Sequence, residues 1–204
     1  MSRKKKLHFY IISLFPEMLR PYLKDSIIGK AIDTKKIKVD IYNPRDFSLD
    51  KHKRVDDKPY GGGPGMVMQA EPVLGAVKKA VGRKKNVKVI LFSPTGKKFT
   101  NKYAEKLALE YKHVVLLSGR YEGIDARVRK ILKAEVVTVG PYVLTGGELP
   151  AMIILDSVAR QIKGVLGNFD SIEEERVSSS DVYTRPEVLK YKGKKYRVPK
   201  VLLS

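Results

Sequence analysis

Apolar and polar positions change period several times along the chain. Residues 6–14, KLHFYIISL, form a dense apolar run rich in Phe, Tyr and Ile, the pattern of a buried strand. Phe15-Pro16-Glu17 follows, and a proline in the first turn opens a helix expected to run to about Ala31. Lys36 to Tyr42 alternates apolar and polar residues, as a half-buried strand does. From Asn43 to Gly65 periodicity stops. NPRDFSLDKHKRVDDKPYGGGPG reads as a long loop of turn formers and charges, a length that goes with function or disorder. Helix and strand patterns then alternate: helix 71–81, strand 87–92, helix 101–111, strand 114–117, helix 124–132, strand 136–139 and helix 148–162.

That alternation predicts an α/β domain with a mostly parallel sheet flanked by helices. Three strands run into Gly- or Pro-containing loops, SPTG, SGRYEG and VGPYVLTGG. In open α/β sheets ligands bind at the carboxyl ends of strands, so these loops mark the expected small-molecule site. Glycines there let main-chain N–H and C=O groups approach a ligand closely, although ordinary turn chemistry explains any one of them alone.

Composition narrows the partners. The chain has 204 residues, 43% of them hydrophobic, which suits one sizeable domain or a main domain with a small appendage. Lys and Arg number 41 against 22 acids, a net charge of +19, which points to a polyanion, nucleic acid ahead of a membrane surface. With no cysteine there are no disulfides or Cys-based zinc sites, and His8, His52 and His113 lack metal-ligand spacing. No zinc or calcium site is legible, but one carboxylate-bound Mg²⁺ leaves little trace in sequence. The basic start MSRKKK precedes a strand pattern without a signal-peptide cleavage site, and no apolar run reaches the roughly 18 residues of a membrane span. The cytoplasm is the expected location.

The glycine motifs exclude the common nucleotide fingerprints. PYGGGPG lacks the Lys-Ser/Thr of a P-loop, and neither SGRYEGID nor VLTGGELP fits a Rossmann G-x-G-x-x-G in its strand–turn–helix context. Instead SLFPEM, NPRDF, DKHKRVDDKPYGGGPGMVMQAEPV, SPTG, GRYEGID, VLTGGELPAMIILDSVAR, GVLG and YTRPEVL occur in one order across residues 10–204. In these motifs the chain resembles the bacterial tRNA (guanine-37-N1)-methyltransferases.

The resemblance implies a SPOUT-type α/β fold with a deep trefoil knot, although general topology rules argue against knots. It implies S-adenosylmethionine as methyl donor and S-adenosylhomocysteine as product, tRNA as substrate, and a homodimer with active sites at the interface. Residues 1–166 would be the knotted cofactor-binding domain. Residues 167–204 would be a linker and basic tail before the family's helical C-terminal tRNA-binding domain. Matching motifs assign cofactor contact to Phe92, Ser93 and Pro94, to Gly119, Arg120, Tyr121, Glu122 and Gly123, and to Val139, Gly140, Pro141, Tyr142, Val143, Leu144, Gly146, Gly147 and Pro150. Arg45, Asp46, His52, Asp56, Asp57 and residues 61–63 match family positions near cofactor and tRNA.

Guanine N1 carries a proton in the neutral base, so a carboxylate must remove it as the methyl transfers. Negative charge then grows on O6, where a cation is needed. The family uses an Asp and an Arg. The Arg maps to Arg160, which also stands four residues after Asp156, the spacing of an intrahelical ion pair. The Asp position is occupied by Glu175, one methylene longer, with Asp170 and Asp181 as further candidates. Pro141 stands where the family has Asp, and the segment 177–183 is shorter than the family's. These departures leave two alternatives to guanine-37 methylation: a dimeric cofactor- and RNA-binding module with weak or absent activity, or a methyltransferase for another RNA. Residues 190–200, KYKGKKYRVPK, carry six Lys or Arg, two Tyr and no acid. They read either as a phosphate- and base-contacting segment or as a disordered charged tail.

Overall fold

A computed structural model describes residues 6–166 and 181–203. It divides into two compact units, Met1–Ser171 and Ile172–Ser204. The first is built on a five-stranded sheet of order β2-β1-β6-β5-β7, with β1 Leu7–Ile12, β2 Ile37–Tyr42, β5 Val87–Lys98, β6 His113–Leu117 and β7 Glu135–Thr138. Every pairing in this sheet is parallel, as the alternating pattern predicts.

Strand alternation sorts the core into two layers. Phe9, Ile11, Val114 and Leu116 face one side, beneath α1 (Arg20–Lys24), α2 (Ser26–Asp33), α4 (Asn101–Glu110) and α6 (Glu148–Ala159). Tyr10, Ile12, Val115 and Leu117 face the other, against α3 (Ala70–Val81) and α5 (Ala126–Leu132). Each aliphatic side chain so buried contributes about 1.5–3 kcal/mol relative to exposure. The two-sided burial explains why β1 and β6 read as near-continuous apolar runs.

Three segments differ from expectation. The single helix expected from Pro16 to Ala31 is a 3₁₀ turn at Pro16–Met18 followed by α1 and α2. The break falls at Asp25, whose extended backbone and carboxylate, accepting from Ser26 N at 2.6 Å, cap α2 instead of continuing α1. The strand expected to stop at Phe92 resumes after SPTG: both Phe92 and Lys97 pair with Val137, so residues 93–96 bulge out of the ladder. The long loop is partly built. It holds a 3₁₀ turn at Pro44–Phe47 and a short antiparallel pair, β3 Asp56–Asp57 with β4 Val67–Met68, and it buries Val55.

Between them, Asp50 accepts from His52 N at 2.8 Å and from Arg54 N, Nε and Nη2 at 3.1, 3.2 and 2.9 Å. Those donors, Arg54 foremost, hold its carboxyl well below the usual carboxylate range. Among the described residues, no helix is long and apolar enough to cross a membrane.

The second unit contains a hairpin, β8 Val188–Tyr191 with β9 Lys194–Arg197. The basic segment, read as either a phosphate- and base-contacting stretch or a disordered charged tail, is ordered as a β-ribbon over residues 188–197.

Candidate active site

The sequence places Gly- or Pro-containing segments at the 93–96 bulge of β5 and after β6 and β7, and the parallel sheet brings all three to one edge. They enclose a cavity of about 310 Å³, within the range of small-molecule clefts. All the positions expected at the cofactor line it except Arg120, Gly123, Gly140 and Pro141. Val137, Thr138 and Thr145 also line it. These three were missed because Val137 and Thr138 read as strand interior and Thr145 as a turn residue. Phe92, Pro94, Val139, Leu144 and Pro150 give the wall its apolar part. Glu122 is the carboxylate on the wall.

The third loop lies tightly over the second. Gly147 N donates to Gly119 O at 2.9 Å. A Cβ on Gly147 would stand 2.5 Å from Ser118 Cα and 3.0 Å from Gly119 N, backbone atoms that cannot rotate away. The long loop is sewn to the same place: Glu122 N donates to Met66 O and Met68 N to Gly123 O, both at 2.9 Å.

Arg120 is turned from the cavity into the wall behind it. Its Nε lies 2.9 Å from Glu148 Oε2, and the guanidinium lies 4.6 Å from the centre of the Phe15 ring. Glu148, in the first turn of α6, is only 2% exposed and accepts from Ser13 Oγ at 2.7 Å. The Arg120 N–H is not aimed at Oε2, so that contact is an ion pair without a formed hydrogen bond. Ser13, Arg120 and Glu148 thus tie the ends of β1 and β6 to the start of α6. Sequence reasoning missed Ser13 and Glu148, because an acid in a first helical turn looks like an ordinary dipole-matched surface residue. Ser118 Oγ, buried immediately before Gly119, has no hydrogen-bond partner among the described residues.

Arg160 caps the far end of α6, with its N–H donating to Asp156 O at 3.1 Å. It does not line the cavity. The Asp156 carboxylate accepts from Tyr22 OH. Glu175 and Asp170 lie outside the described residues, and Asp181 is exposed in the second unit. Among the described residues, no three His, Asp or Glu side chains gather as metal ligands.

A family model described as "tRNA (Guanine-1)-methyltransferase TrmD" matches residues 7–204. The chain belongs to this methyltransferase family. It is 46% identical over 209 residues to a tRNA (guanine-N(1)-)-methyltransferase of Pseudoalteromonas atlantica, covering all of this chain and 77% of that protein. It is 47% identical to the enzyme of that name from Caldanaerobacter subterraneus subsp. tengcongensis, over 96% of this chain and 80% of the relative. Among solved structures it matches that of tRNA (m1G37) methyltransferase from Aquifex aeolicus. The TM-score is 0.81 at 34% identity, over 98% of this chain and 83% of that one. The family and its α/β sheet architecture are those expected from the motifs.

Proposed function

We propose that this chain is a cytoplasmic enzyme that transfers a methyl group from S-adenosylmethionine to N1 of guanine 37 in tRNA. The observation that carries this reading is the convergence of three family-type loops, the 93–96 bulge of β5 and the loops after β6 and β7, on one cavity. The residues fit the donor. Apolar side chains line a cleft of suitable size, Gly119, Tyr121, Glu122 and residues 144–147 border it, and the Ser118 hydroxyl, without a hydrogen-bond partner among the described residues, lies buried next to Gly119. When bound, S-adenosylmethionine supplies a methyl group activated on a sulfonium. Glu122, on the cavity wall, places negative charge near that cation. The tight crossing of 146–147 on 118–119 supports the trefoil knot implied by the family.

Proton removal from N1 falls to a carboxylate, and Glu175 holds the matching position. Arg160 is the cation for O6. Within one chain it stands at the opposite end of α6, about 18 Å along the helix from Glu148. A second copy resolves this separation. Leu149, Ile153 and Arg160 fall on one stripe of α6, at helical spacings of four and seven. Leu149 and Ile153 border an apolar groove with Met18, Tyr22, Ile27 and Tyr142, all of them exposed. A homodimer formed through this groove covers the exposed apolar side chains and brings Arg160 into an interface.

The test is transfer of labelled methyl to two tRNA transcripts, with G or A at position 37. Transfer to the G transcript alone supports the reading. No transfer while S-adenosylmethionine still binds would overturn it, leaving a cofactor- and RNA-binding module. Leu149→Asp with Ile153→Asp is expected to yield monomers by light scattering and to abolish transfer. A dimer that survives both changes would remove the interface from this groove.

A further inference from the structure

The hairpin of the second unit has two chemically distinct faces, which register reveals and the linear sequence hides. Lys190 pairs with Lys195, Val188 with Arg197, Leu189 with Tyr196 and Tyr191 with Lys194. Because side chains alternate between faces, Lys190, Lys195 and Arg197 share one face with Val188. Tyr191 and Tyr196 share the other with Leu189 and Lys194. The turn at Lys192-Gly193 has positive φ at both positions, 48° and 73°, the left-handed geometry of a tight two-residue hairpin.

Two features of this ribbon are unfavourable for the protein by itself. Lys190 and Lys195 stand directly across from each other, where like charges repel. No acid lies within 188–200, and Arg197 reaches Glu187, at the base of the ribbon, only at 3.9 Å. On the opposite face Tyr191 and Tyr196 are 58% and 53% exposed, with Leu189 at 54%. The Lys192 ammonium lies 5.5 Å from the centre of the Tyr191 ring, so a cation and an aromatic face are presented together at the tip. An anion between the lysines relieves the repulsion, and flat apolar partners cover the rings.

We infer that this hairpin binds unpaired nucleotides of an RNA, the lysine face neutralising phosphates and the tyrosine face stacking on bases. The inference deepens the tRNA methyltransferase reading and rests on it for the class of RNA. Unpaired segments are the fit because stacking needs an exposed base face, which a duplex hides. An acidic protein would satisfy the lysines but would not require the rings.

The test uses the full chain and three labelled RNAs: a tRNA transcript, a stem with a seven-nucleotide loop, and a blunt duplex of equal length. Binding is followed by fluorescence anisotropy across a salt series. Tyr191→Ala with Tyr196→Ala is expected to weaken loop and tRNA binding about tenfold or more. It should leave duplex binding and the salt dependence unchanged. Lys190→Gln with Lys195→Gln is expected to lower the slope of log affinity against log salt by about 1.4, since each single-strand phosphate contact contributes about 0.7.

Wild-type affinity and slope in both variants would overturn the assignment, and so would equal loss of loop and duplex binding in the tyrosine variant. Binding of S-adenosylmethionine, measured by calorimetry on the same samples, separates the two readings. A wild-type chain that fails to bind it loses the methyltransferase reading while the hairpin result stands. A variant that binds it normally but loses loop RNA places the defect in the hairpin.

Discussion

At their carboxyl ends β1 and β6 run into Ser13 and Ser118, both fully buried, and into the Arg120–Glu148 ion pair. At their amino ends the same two strands present His8, Tyr10 and His113, and the polar groups there satisfy one another. His8 Nε2 and Asp40 Oδ2 are 2.8 Å apart, and Tyr10 OH lies 2.7 Å from His8 Nδ1 and 3.2 Å from His113 Nδ1. One tautomer set fits all three distances. His8 Nε2–H donates to Asp40, Tyr10 O–H donates to His8 Nδ1, and His113 Nδ1–H donates to the tyrosine oxygen.

Lys38 completes the partners of Asp40 at 2.9 Å, and Lys84 lies 5.7 Å from the centre of the Tyr10 ring. At the carboxyl end, by contrast, Ser118 Oγ, Arg120 Nε and Glu148 Oε2 are buried without formed hydrogen bonds among the described residues. A satisfied network holds a fold together, whereas buried polar groups left open are the mark of a site. The two ends of one sheet thus divide a satisfied network from the candidate site.

Breaking the ion pair gives the largest expected effect. Glu148→Ala leaves the buried Arg120 Nε and the Ser13 hydroxyl without their partner and is expected to cost about 2–4 kcal/mol by urea denaturation. The double replacement Arg120→Met with Glu148→Leu should recover most of that stability. A loss under about 1 kcal/mol in Glu148→Ala would mean that the carboxyl end is not held by this pair.

Gly147→Ala attacks the loop crossing itself. With backbone atoms 2.5 Å from the new Cβ, it is expected to cost about 1–3 kcal/mol and to abolish cofactor binding by calorimetry. Normal binding in that variant would remove the crossing from the site.

Tyr10→Phe probes the other end. It removes a hydroxyl shared by His8 and His113 and is expected to cost about 1–3 kcal/mol while leaving cofactor binding at the wild-type level. A change in cofactor affinity would break the division between the ends.

The smallest effect is pH dependence. Burial lowers the pKa of both His8 and His113 below the ordinary 6.5, against the opposing pull of Asp40 on His8. The fold therefore favours the neutral rings, while the unfolded chain takes up protons at about 6.5. Their contribution is fully present above that pH and is lost as pH falls below it. The urea midpoint is expected to drop between pH 7.5 and 5.5, and to drop less in His113→Gln. Burial also pushes the Tyr10 hydroxyl up to about 12, so it stays protonated throughout this range.

Much of the site was legible because its parts are local. SPTG, SGRYEG and VGPYVLTGG are each punctuated by Gly or Pro at a strand end, and a parallel sheet with crossover helices must gather such ends at one edge. Arg120 was assigned to the cofactor by its motif, yet its side chain packs on Phe15 and Glu148, a choice made by residues far away in sequence. Val137 and Thr138 reach the cavity because the 93–96 bulge reopens the strand beside them. The cationic and aromatic faces of the hairpin were invisible until its register was known, since KYKGKKYR interleaves both kinds of residue.

By itself the sequence determined the alternation of strands and helices, the parallel sheet and the loops that border the cavity. Periodicity and Gly/Pro punctuation act over a few residues and are written directly into the chain. Only the tertiary structure decided that Glu148 is buried, that it pairs with Ser13 and Arg120, and that Arg160 lies at the other end of α6 from the cavity. Those outcomes depend on which distant segments exclude water from a side chain, and local propensity carries no record of that.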